Sequence, residues 1–179
     1  MSKIDDHWKT SQDNFIWRDF AELQKAGLSA EILASLVADK AIGSDSVAVS
    51  GGRWRRRFNS QRAIILPIHG PASGELIDLI AFCPSTPRAV WMLTGQAGML
   101  GYEAATKAEH FQEPLYLHET PLDWLKAGGE GSVILNWKHY WPLYFGRVRE
   151  IRVGSEAFGE RVHGLMSRPF PVPEVMVAT

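Results

Sequence analysis

From residue 113 onward the chain alternates short β-type runs with helix signals, and this alternation restricts the second half to a narrow set of folds. Residues 115–118 read as a strand, 121–127 as a helix and 132–135 as a strand. After an undecided stretch at 137–145, residues 149–153 read as a strand and 156–166 as a helix. Strands that take turns with helices cannot be joined by tight hairpins, so they imply a parallel sheet covered by helices.

The first half follows a different pattern. Residues 1–13 are polar and read as a frayed end. Phe15, Ile16, Trp17, Phe20 and Leu23 then recur at helical spacing until Gly27, and a second helix starts at Ser29 with Ile32, Leu33, Leu36 and Val37 as its apolar stripe. Together they predict a helical hairpin. Residues 43–62, with Gly43, Gly51 and Gly52, read as loop. Runs at 63–68 and 76–82 flank Gly70-Pro71-Ala72-Ser73-Gly74 and read as a β-hairpin, with Pro67 placing the first strand at an edge or a bulge. A short strand at 89–93, a glycine-bearing loop at 95–101 and a helix at 102–108 follow.

Composition removes several classes. The 179 residues suffice for one domain with its own core, and 45% hydrophobic with 22% charged residues is a globular composition. Nineteen Lys and Arg against twenty Asp and Glu give a net charge of −1, so nucleic-acid binding would need a local patch. Cys83 is the single cysteine, which rules out an intrachain disulfide and a cysteine zinc site and suggests a reducing, cytoplasmic setting. No run reaches the ~18 apolar residues of a membrane span, and the N-terminal residues lack a signal-peptide core. No membrane association is expected.

Candidate chemistry lies at strand ends, where parallel sheets gather ligands. Glu119 follows the strand at 115–118, and Glu156 follows the strand at 149–153. Carboxylates from two such ends would suit Mg²⁺, a hard cation that takes oxygen ligands. Glu119, placed between a strand and a helix cap, has no comparable structural role, whereas the other candidate acids do. Glu156 would complement its own helix dipole, and Thr120-Pro121-Leu122-Asp123 makes a capping box that would occupy Asp123. A second candidate is Arg53-Trp54-Arg55-Arg56-Arg57: guanidinium forks suit phosphates and Trp54 would stack on a base, unless the run is only a solvated loop. Lys138, His139, Tyr140 and Trp141 form an aromatic run that reads as core packing, His118 is the one histidine beside a candidate acid, and Cys83 reads as a buried small hydrophobe.

At this point the chain resembles a known family. Residues 113–166 look like a Toprim domain, the Mg²⁺-binding module of bacterial-type primases and topoisomerases. Glu119-Thr120-Pro121-Leu122-Asp123, with Gly128 closing, is similar to the family's strand ending in Glu and its Gly-x-x-Asp helix start; Gly154-Ser155-Glu156-Ala157-Phe158-Gly159 stands where the family has Asp-x-Asp. Upstream, Ala26-Gly27-Leu28-Ser29, Arg62-Ala63-Ile64-Ile65-Leu66-Pro67-Ile68 and Met99-Leu100-Gly101-Tyr102 are similar, in order, to motifs of the primase core. Thr120 and Gly154 depart from the pattern, standing where the family has Gly and its first metal Asp.

The resemblance implies an α/β fold, a Toprim-like parallel sheet flanked by helices (111–168) preceded by a small α+β subdomain of helical hairpin plus β-hairpin (1–110), with an extended tail at 169–179. It implies a primase-like protein of plasmid or phage replication type with Glu119 in acid/base chemistry and Asp123 and Glu156 as a reduced Mg²⁺ set, so that nucleotidyl or phosphoryl transfer is weakened or lost. Single-stranded DNA or RNA and a protein of a replication complex are the implied partners. The alternative is a non-catalytic module that binds nucleic acid through Arg53, Trp54, Arg55, Arg56 and Arg57, or one that only binds protein.

Overall fold

The computed structural model of the chain describes residues 2–71, 74–139 and 141–167. The fold is mixed α/β, and the expected tail at 169–179 lies outside the described residues.

The N-terminal end is a helix rather than a frayed segment. In α1 (Lys3–Asp13), the Ser2 hydroxyl accepts from the Asp5 N–H while the Asp5 carboxylate accepts from the Ser2 N–H, a reciprocal cap. Ile4 and Trp8 anchor the helix in an apolar cluster, and the buried Ser11 donates to Asp45 across 34 residues of sequence. A polar helix thus persists because its few apolar side chains all find one site. The expected hairpin follows as α2 (Trp17–Lys25) and α3 (Ala30–Ala38), turning at Gly27 with a φ of +99° and restarting at the Ser29 cap.

The expected β-hairpin is part of a larger object. β1 (Gly43–Ser50), β2 (Arg53–Arg56), β3 (Gln61–His69), β4 (Leu76–Cys83) and β5 (Thr86–Met92) close a barrel in the order β1-β2-β5-β4-β3. The loop expected over 43–62 is therefore corrected to two strands, their connections and the start of a third. Gly51 and Gly52, both at positive φ, form a two-residue turn whose twist matches the flanking strands. The polar run Gly43-Ser44-Asp45-Ser46 hides a strand because its side chains are satisfied by residues far away in sequence. Pro67 sits as expected: β1 pairs with β3 only as far as Ile65, so the missing N–H of Pro67 breaks no ladder on that side, and the register shifts between Ile68 and His69.

The second sheet has the order β6-β8-β7-β9, from β6 (Met99–Leu100), β7 (Leu115–His118), β8 (Ser132–Ile134) and β9 (Ile151–Val153). β7 runs parallel to β8 and β9, as the strand–helix alternation requires, whereas β6 adds an antiparallel edge. Helices α4 (Tyr102–Phe111), α5 (Pro121–Lys126), α6 (Pro142–Phe145) and α7 (Glu156–Met166) complete it. β6 and α4, most of which falls before residue 111, build onto this sheet.

Two apolar clusters hold the layers. Alternate residues of the barrel strands, Val47, Trp54, Ala63, Ile65, Leu79 and Ala81, fill the barrel interior. Their neighbours Ile64, Leu66, Ile80 and Phe82 face outward into a core shared with Leu23, Leu33, Leu117, Val133 and Leu165. Buried on both faces, β3 carries an unbroken apolar run over 63–68 and β4 one over 79–83 after Asp78. Among the described residues no helix is long and apolar enough to cross a membrane.

Candidate functional site

Strand β7 delivers Glu119 to its carboxyl end, and α5 starts at once because Thr120 caps it and Pro121 takes its first position. The Thr120 hydroxyl accepts from the Asp123 N–H at 3.1 Å and donates to the Asp123 carboxylate at 2.7 Å. Asp123 is thereby held in the cap. Glu119 instead reaches across to β5, where its carboxylate meets the Arg88 guanidinium at 3.0 Å. On the neighbouring parallel strand β9, Ser155 caps α7 and Glu156 occupies its first turn, exposed.

Glu119 and Asp123 share a cleft beside Arg88 and Lys126, whereas Glu156 lines neither of the clefts that Glu119 borders. Among the described residues no group of three His, Cys, Asp or Glu side chains is clustered to hold a metal. The strand-end geometry therefore brings two of the three expected acids together. Each of those two is already engaged by a protein group, Asp123 by Thr120 and Glu119 by Arg88.

The second cleft that Glu119 borders, about 210 Å³, opens at the carboxyl ends of β7 and β8 and has Arg88 and Arg161 on its walls with Val90, Val133, Leu135 and Trp137. Arg161 lies with its guanidinium 3.6 Å from the centre of the Trp137 ring, a cation–π contact that orders the head of the side chain. Neither arginine was identifiable from local pattern. They stand 73 residues apart and meet Glu119 and Trp137 only through the packing of barrel on sheet.

No family model, no curated protein and no solved structure matches this chain. Its chemistry is therefore read from its own geometry.

The arginine run lies on β2 and just beyond it, and the barrel sorts its members by face. Arg53, Arg55 and Arg57 point outward and are exposed, and the Arg57 N–H continues the ladder to the Ser46 carbonyl at 2.9 Å. Trp54 points the other way. It is 2% exposed and its indole N–H donates to the Leu79 carbonyl, so it packs the barrel interior and cannot stack on a base. Arg56 also turns inward and pairs with the buried Asp45, donating as well to the His7 carbonyl. Phe58, 89% exposed, stands directly after the run. Phe58 was not singled out from the sequence, although the alternation of a strand would have placed Trp54 and Arg56 on one face and the other arginines opposite.

The remaining candidates have structural roles. The His118 Nε2 contacts the Glu130 carbonyl at 2.9 Å and pins the turn before β8. Cys83 is buried, as expected of a small hydrophobe, and burial pushes its thiol pKa up, away from reactivity. Trp141 is fully buried and donates to the Asn136 carbonyl, so the aromatic run packs the core; Tyr140 lies outside the described residues.

Proposed function

We propose that this chain is a primase-like protein of nucleic-acid transactions, of the plasmid or phage replication type, that binds single-stranded DNA or RNA on the outer face of the β1–β2 hairpin. The observation that carries the reading is the outward row of Arg53, Arg55 and Arg57 with the exposed Phe58 beside it. A strand sets the Cα atoms that bear these side chains about 7 Å apart, comparable to the spacing of phosphates along an extended strand, and an exposed aromatic supplies a stacking face. On a chain of net charge −1 this row is a local positive feature rather than part of a general field.

The second sheet supports a Toprim-like reading in part. β7 lies between two parallel partners, Glu119 follows it directly, and Glu156 follows β9 after the Ser155 cap. The antiparallel β6 is a departure. In this reading Glu119 keeps the position of the family's acid/base residue, with Asp123 and Glu156 as the remnant of a Mg²⁺ set. Mg²⁺-dependent transfer is weakened or lost because Asp123 is tied into the α5 cap and Glu119 into the pair with Arg88.

Fluorescence anisotropy of a labelled oligothymidylate against salt tests the binding. Three phosphate contacts give a slope on the order of −2 in log affinity against log salt, and replacing two of Arg53, Arg55 and Arg57 with alanine should flatten it by about 1.4. Phe58→Ala should lower affinity by roughly 1–3 kcal/mol and keep the slope, because stacking releases no ions. No binding at low salt, or a slope indifferent to the arginines, would reject nucleic-acid binding and leave a protein-interaction module.

A further inference from the structure

We propose that the cleft between barrel and second sheet is a metal-independent site for a phosphate monoester, in which the guanidinium groups of Arg88 and Arg161 supply the positive charge. Four observations converge there. Arg88 and Arg161 come from different layers, β5 and α7, yet border one cavity of about 210 Å³, enough for a phosphate and part of what it is attached to. Arg161 is stacked on Trp137, so its side chain is already ordered and little rotamer freedom is lost when its N–H edge takes a ligand. Among the described residues no carboxylate lies within ion-pair distance of Arg161, so no protein anion competes for its N–H groups. Among the described residues the one ion pair of Arg88 is with Glu119, with 78% of the arginine side chain exposed, and an exposed pair of that kind exchanges partners at small cost.

With one carboxylate against two guanidinium groups, the cleft favours an anion. Glu119 acts in it as an internal competitor: its carboxylate occupies Arg88 until a better acceptor arrives. A phosphate monoester offers more oxygens and up to two charges, and matches the guanidinium fork in two-point geometry. The apolar walls of Val90, Val133 and Leu135 would face whatever the phosphate carries. Arg88 and Arg161 are distinct from the β2 arginines, so phosphate binding here stands or falls separately from strand binding on the barrel.

Full-length protein in EDTA is titrated with inorganic phosphate while ¹H–¹⁵N spectra follow the arginine Nε–H signals. Saturable shifts of Arg88 and Arg161 are expected, and Arg88→Gln and Arg161→Gln should each weaken binding about tenfold. Glu119→Gln is the decisive variant: removing the competitor should tighten phosphate binding, by up to about fivefold. A site that works through a metal gives the opposite result, with Glu119→Gln weakening binding and Mg²⁺ being required. Either of those outcomes, or the absence of a saturable shift in both wild type and Glu119→Gln, overturns the proposal. Titrations with AMP and with a short 5′-phosphorylated oligothymidylate identify the source of the phosphate: tighter binding of AMP than of phosphate marks a mononucleotide, and a gain confined to the oligomer marks a strand end. All three residues are solvent-accessible, so thermal melts of the variants should match wild type.

Discussion

Against the barrel wall, Asp19 of α2 is 1% exposed and held by two guanidinium contacts from Arg62 with further donors in Ser44 and the Ile16 N–H, and within the barrel Asp45 at 3% exposure is held by Arg56, Ser11 and the Ser46 N–H. At the carboxyl edge of the second sheet arginines meet their partners in the open, Arg88 the carboxylate of Glu119 and Arg161 the ring of Trp137. Burial makes the difference. A charge taken out of water must be fully matched or the fold suffers, so the barrel's carboxylates are bound into the structure. Asp78 is the extreme case: fully buried on β4, it accepts from the N–H groups of Leu79, Thr94, Gln96 and Ala97 and moulds the loop that joins barrel to sheet. Charges at the sheet edge carry no such obligation and remain able to change partners.

The sharpest way to break this contrast is Trp54→Ala. The ring fills the barrel interior and its N–H is satisfied by Leu79, so truncation leaves a cavity and an unpaired carbonyl at once. Urea denaturation should show a loss of about 3–5 kcal/mol. A loss under 1 kcal/mol would mean that Trp54 is not the barrel's central packing residue, and would return it to the candidates for base stacking.

How much of this was legible in the sequence follows the same division. The β7–α5–β8 and β9–α7 units were readable because local chemistry announces them: Thr120 and Ser155 cap, Pro121 starts a helix, and the apolar period changes at each boundary. β1 and β2 were not, because Ser44, Asp45 and Arg56 look like loop residues until Asp19, Ser11 and Asn14 are folded against them from more than 20 positions away. At the candidate site, Glu119 was readable from the strand-end rule. Arg88 and Arg161 were not, since nothing within a few residues of either distinguishes it from a solvated surface arginine.

Two arginines carry the contrast between barrel and sheet edge in single side chains. Arg62→Ala strips Asp19 of its ion pair while leaving the carboxylate buried, which should cost about 3 kcal/mol in urea. Arg88→Ala removes an exposed pair and should cost no more than about 1 kcal/mol. Equal losses would show that the charges at the sheet edge hold the fold together just like those of the barrel, and would count against an exchangeable Arg88.

The smallest expected effect concerns pH, and it locates the barrel's dependence on ionised Asp19. Burial opposes the charge on Asp19, but hydrogen bonds from Arg62, from the Ile16 N–H and from Ser44 outweigh it and hold the carboxyl below its ordinary value of 3.8. A folded-state pKa below the unfolded one means that the unfolded chain takes up the proton first as pH falls. The contribution is therefore complete above about 3.8 and is lost as pH drops toward the folded value. His7 adds a shallower step of the same sign. Its burial, helped by Arg56, lowers its pKa from 6.5, so its neutral form contributes fully above 6.5 and loses ground below it. Urea midpoints measured from pH 7.5 downward should fall in two stages, a slight decline beginning near 6.5 and a steeper one beginning near 3.8. His7→Gln should abolish the first stage alone, and Asp19→Asn, at a lower overall stability, should reduce the second. If the second stage survives Asp19→Asn undiminished, the acid sensitivity belongs to other carboxylates and the Asp19–Arg62 pair is not what ties α2 to the barrel.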